Sequence, residues 1–83
     1  MSRSNIITAL TKIFIKEFDN ESIVLKDDLT ANDIDNWDSL SHMLMISSIE
    51  DEFSIRFKLK ELNKMKNVGN LIDFIESKLT NRL

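Results

Sequence analysis

A chain of 83 residues with no cysteine, no proline, no tyrosine and one glycine reads as a single small helical domain, because sandwiches and barrels need turn residues that it lacks. Without cysteine it forms no disulfide and no thiolate metal site, so any thiol chemistry must come from a group added to the chain. The net charge of −3 is unevenly spread: Glu21, Asp27, Asp28, Asp33, Asp35 and Asp38 face only Lys26 within 21–38, whereas Lys58, Lys60, Lys64, Lys66, Lys78 and Arg82 outnumber Glu61, Asp73 and Glu76 within 57–83.

The first helix is expected over about residues 4–18. Ile6, Ile7, Leu10, Ile13, Phe14 and Phe18 recur at three- and four-residue spacing and make one stripe for burial, and Ser4 or Ser2 supplies a cap. Thr8, Thr11, Lys12 and Lys16 interrupt the apolar stretch, which is unlike a signal peptide. Residues 19–38 lose the period. Their Asp, Asn, Ser and Thr compete for backbone hydrogen bonds and favour turns. Ile23, Leu25, Leu29, Ile34 and Trp37 are spaced to pin this long loop to the bundle, and loops of such length in small domains are commonly functional.

The second helix is expected over 39–53 with Asp38 as its N-cap. Its wheel carries two apolar stripes. Met45, Ile46, Ile49 and Phe53 form the longer one, with His42 between them, and are assigned to the core. Leu40, Met43 and Leu44 form the other, continued by Ser47, Glu50 and Asp51, and are expected to stay exposed as a docking surface. The longest unbroken apolar run, 43–46, is far too short to span a bilayer. A short third helix is expected around 59–64. A fourth runs from an Asn67 cap to about Leu79, with Val68, Leu71, Ile72, Ile75 and Leu79 inward and Gly69 in its first turn. The fold class is therefore all-α: a four-helix bundle with a long loop between helices 1 and 2 and a short third helix.

Asp38-Ser39-Leu40, at the junction of acidic loop and second helix, followed by Glu50-Asp51-Glu52-Phe53 and closed by Val68-Gly69-Asn70-Leu71-Ile72-Asp73-Phe74-Ile75, resembles the acyl carrier protein family over nearly the whole chain. The resemblance implies that Ser39 carries 4′-phosphopantetheine, donated by coenzyme A, through a phosphodiester, with Asp38 and Leu40 flanking the site. It also implies that Leu40, Met43, Leu44, Ser47, Glu50 and Asp51 contact partner enzymes. The expected partners are a phosphopantetheinyl transferase and acyl-loading and acyl-transfer enzymes with basic docking surfaces. A serine in a helix's first turn also suits an attached phosphate on physical grounds, since unpaired N–H groups and the positive dipole end lie there.

The chain departs from the family pattern in three places. Asn36 replaces the glycine often found two residues before the aspartate, and asparagine tolerates the left-handed backbone such a turn needs. Leu44 stands where many fatty-acid-synthesis carriers have glutamate, and the 58–66 region is basic where theirs is acidic. These features fit a carrier of a specialised pathway better than the housekeeping fatty-acid carrier; the pathway itself, with fatty-acid and polyketide synthesis among the candidates, stays open. The chain itself is not expected to be an enzyme, because His42, the single histidine, has no obvious base or nucleophile partner and reads as a packed or partly exposed helical residue. The loop aspartates lack the calcium-loop pattern, and the acidic centre disfavours nucleic acid. Other readings are a peptidyl or aminoacyl carrier, or an unmodified helical adaptor that binds a partner through Leu40, Met43 and Leu44. A cytoplasmic monomer is expected.

Overall fold

The computed structural model describes residues 2–80; Met1 and residues 81–83, including Arg82 of the basic C-terminal count, lie outside the described residues. Four α-helices follow in chain order: α1 Arg3–Phe18, α2 Ser39–Phe53, α3 Leu59–Leu62 and α4 Val68–Thr80. No strand occurs among the described residues, and none of their helices is long and apolar enough to cross a membrane. The helical expectation holds in number, order and approximate bounds.

Local chemistry sets most boundaries. Ser2, one of the two caps foreseen, accepts the Asn5 N–H at 3.2 Å. Both α1 and α2 end on left-handed residues that are not glycine, Asp19 (φ 49°) and Ser54 (φ 55°), whose N–H groups close on Ile15 and Glu50 carbonyls. The third helix is shorter than the expected 59–64. After Leu62 the chain tightens into three-residue turns, with Lys64 N–H on the Glu61 carbonyl and Met65 N–H on that of Leu62. Asn67 caps α4 by accepting the Asn70 N–H at 2.8 Å, and Asn70 Oδ1 accepts the N–H of Lys66, the residue before the cap, at 3.0 Å.

Ile6, Leu10, Phe14 and Phe18 of α1, Met45, Ile46, Ile49 and Phe53 of α2, and Val68, Leu71, Ile72 and Ile75 of α4 bury together. Ile7, Ile13 and Leu79 sit only half-buried at the margin of that core. The loop is pinned as foreseen, with Ile23 and Ile34 buried and Leu25, Leu29 and Trp37 packed against the core. A 3₁₀ turn at Ala31–Asp33, capped by Thr30, interrupts it. Glu61 Oε1 accepts both Lys58 N–H at 2.7 Å and Lys78 Nζ at 2.9 Å, tying α3 to α4 where both side chains are mostly covered.

The single glycine is needed for approach, not for a turn. Gly69 is buried inside α4 and donates its N–H to the Asp27 carbonyl at 2.9 Å, while Val68 N–H donates to Leu29 at 2.8 Å. These two bonds clamp the long loop to the start of α4. A Cβ at Gly69 would stand 3.0 Å from the Asp27 carbonyl oxygen and 3.1 Å from its Cβ. Gly69→Ala therefore sets a helix-propensity gain of up to about 1 kcal/mol against an overpacking cost of roughly 1–3 kcal/mol. A net loss of about 1 kcal/mol is expected in urea denaturation.

Candidate functional site

The junction of loop and α2 is built by a reciprocal cap. Asp38 Oδ1 accepts the Ser41 N–H at 2.9 Å, and Ser41 Oγ accepts the Asp38 N–H at 2.8 Å. Ser41 Oγ also lies 2.7 Å from the Asn36 carbonyl, to which it donates, so the hydroxyl is fully used. Asn36 itself has φ 69°, the left-handed backbone expected where the family often has glycine. That local geometry leaves Ser39 as the first residue of α2, exposed to solvent. Among the described residues its hydroxyl makes no hydrogen bond, in contrast to that of Ser41 two positions on.

Asp38 is held as a carboxylate. The Ser41 backbone N–H, then its hydroxyl, pull the carboxyl below its ordinary value of 3.8. A carboxyl depressed on folding contributes stability above its unfolded value and loses it as pH falls through the folded one. Thermal melts are accordingly expected to drop on acidification below about pH 4, and Asp38→Asn, an equally good but non-titrating cap, should flatten part of that drop.

Beside Ser39 lies an open cleft of about 370 Å³ bounded by Ala31, Trp37, Asp38, His42, Met65, Lys66, Asn67 and Leu71. Its walls are mainly apolar, and Lys66 is the one lysine or arginine that lines it. Trp37 packs edge-on to Phe14, with ring centroids 5.3 Å apart, and lies nearly parallel to His42, with centroids 6.0 Å apart and planes 18° from each other. The indole N–H donates to His42 Nδ1 at 3.0 Å. His42 is thus a packed residue, and burial lowers its pKa from 6.5.

The second stripe of α2 is exposed as expected: Leu40 retains 71% of its surface in solvent, and Met43 and Leu44 retain 51% each. Ser47 and Asp51 are exposed beside them. Glu50 differs from the free docking acid foreseen. Its side chain is only 18% exposed and lies 4.0 Å from Arg56, and its Oε2 accepts the Phe57 N–H at 2.9 Å, bracing the link from α2 to α3. Asp38, Ser39 and Leu40 therefore sit at one end of a helix whose solvent face is apolar, with Asp51 towards the other end. The Ser41 side of the cap, the Trp37–His42 hydrogen bond and the Glu50 brace escaped the sequence reading, although Trp37 and His42 fall at the two positions that commonly staple a helix start.

Comparison with known proteins agrees with this architecture. No family model matches the sequence. A curated acyl carrier protein of Exiguobacterium sp. strain AT1b is 39% identical over 54 residues, which cover 65% of this chain and 61% of that protein's length. A solved structure, the solution structure of a holo acyl carrier protein from Geobacter metallireducens, superposes with a TM-score of 0.87 at 53% identity, covering 92% of this chain and 87% of that one. The chain belongs to the acyl carrier protein family. Acyl carrier proteins are carriers and not enzymes.

Proposed function

We propose that this acyl carrier protein holds acyl groups as thioesters on a 4′-phosphopantetheine arm joined to Ser39 Oγ through a phosphodiester. One observation carries the reading: Ser39 presents an exposed hydroxyl without a hydrogen-bond partner among the described residues at the first position of a 15-residue helix, and the neighbouring hydroxyl of Ser41 is locked in the cap. The residues present suit the group. A phosphodiester at Ser39 gains the dipole of α2 and shares its cleft with Lys66, a pairing that favours the anion. When attached, the arm supplies the thiol that a chain without cysteine lacks.

Around that arm the exposed Leu40, Met43 and Leu44, with Ser47 and Asp51, make the surface on which a phosphopantetheinyl transferase and acyl-loading and acyl-transfer enzymes dock. Basic partner surfaces suit Asp51 and the acidic 21–38 segment, and such charges act mainly on association rate and specificity. A carrier of this kind works as a cytoplasmic monomer, in fatty-acid or polyketide-type synthesis. Incubation with coenzyme A and a broad-specificity transferase, read by intact mass, tests the assignment. The expected result is one added arm per chain; an unchanged mass would instead support the unmodified helical adaptor.

A further inference from the structure

The start of α2 carries a staple as well as a cap. With Asp38 as the cap, Trp37 is the residue before it and His42 the fourth residue of the helix, the two positions whose side chains commonly pack together to fix the angle at which a chain enters a helix. An apolar pair ordinarily fills them. Here one member is an imidazole that accepts the other's indole N–H at 3.0 Å, and an imidazole accepting at Nδ1 is neutral, with its proton on Nε2. Protonation at Nδ1 turns the acceptor into a donor facing a donor. The bond must then break.

We propose that His42, in its neutral form, is the positioning residue for the Ser39 junction, acting through Trp37, so that arm attachment to Ser39 weakens as His42 gains a proton. The inference rests on Ser39 as the attachment site. Trp37 is the lever because its backbone runs directly into Asp38 and Ser39, while its ring is held by Phe14 and Phe18 of α1 and by the hydrogen bond to His42. The charged groups that share the cleft with His42 are Asp38 from the cap and Lys66 from the segment before α4; the α1 rings packed on Trp37 are Phe14 and Phe18, which carry no charge. Asp38 is committed to Ser41, so it offers the imidazolium little compensation. Burial lowers the His42 pKa below its ordinary 6.5. Because the folded value is the lower one, stability and the staple are intact above the ordinary histidine range and are lost as pH falls through the folded value.

The test compares wild type with His42→Asn, which keeps a neutral acceptor near the Nδ1 position and does not titrate. Initial rates of arm attachment are measured with coenzyme A and the same transferase from about pH 8 to about pH 5, over the range where circular dichroism shows both chains folded. The ratio of the two rates cancels the transferase's own pH profile. It is expected to be near one at the alkaline end and to fall about fivefold at the acid end, the factor of one neutral hydrogen bond. Trp37 is the chain's single tryptophan, so its indole N–H resonance follows the pair without ambiguity and should move with the same midpoint in wild type alone. His42→Phe, which keeps an aromatic ring but cannot accept, should be slow at every pH. A flat rate ratio, or an indole resonance indifferent to pH, overturns the inference while leaving Ser39 as the attachment site. A wild type that never gains the arm defeats both.

Discussion

Ser39→Ala is expected to abolish the mass gain completely while leaving the melting curve within error of wild type. The two halves follow from different features of one residue. Ser39 is exposed, begins α2 and makes no hydrogen bond among the described residues, so its removal leaves no buried group unsatisfied. Exposed substitutions of this kind usually lie within about ±0.5 kcal/mol. Its hydroxyl is nevertheless the one available at the junction, because Ser41 Oγ is bonded to the Asn36 carbonyl and the Asp38 N–H. Reaching Ser41 would require the transferase to dismantle the cap. Intact mass after incubation with coenzyme A decides the matter: an alanine variant that still gains the arm moves the site to another hydroxyl, and a wild type that stays unmodified removes the carrier reading for this chain altogether.

The features legible in the sequence are those that local rules determine. The cap at Asp38 and the period of Met45, Ile46, Ile49 and Phe53 give the limits and the buried face of α2, and both hold in the structure. Asn36 illustrates the same point, since its tolerance of positive φ is a property of the side chain itself. What stayed hidden depends on partners remote in sequence. The Glu50 carboxylate reads as an exposed docking acid until the turn at Ser54 brings the Phe57 N–H to it. Gly69 reads only as a residue of a helix's first turn until the Asp27 carbonyl is found against it. Trp37 and His42 lie between these cases. Their spacing was visible, but imidazole and indole do not announce themselves as a staple, and a hydrogen bond between their ring nitrogens cannot be read from spacing.

The two faces of α2 supply the largest expected change in stability. Ile49 is fully buried, midway along the helix and flanked by Met45, Ile46 and Phe53. Ile49→Ala removes buried side-chain atoms from the core to which α1, α2 and α4 all contribute, which should cost roughly 2–5 kcal/mol. A domain of this size holds only about 3–5 kcal/mol in reserve, so the variant is expected to be largely unfolded at room temperature by circular dichroism. Leu44 lies on the opposite face with half its surface in solvent. Leu44→Ala creates no cavity and should melt normally, yet it removes apolar area from the surface where partners dock, so arm attachment or acyl loading should slow severalfold. Chemical denaturation and loading rates, measured on the same two proteins, separate packing from recognition. A Leu44→Ala chain that melts early, beside an Ile49→Ala chain that stays folded, would mean that α2 turns its other face to the core. A Leu44→Ala chain that folds and loads at the wild-type rate would instead show that the exposed stripe is not where the enzymes bind.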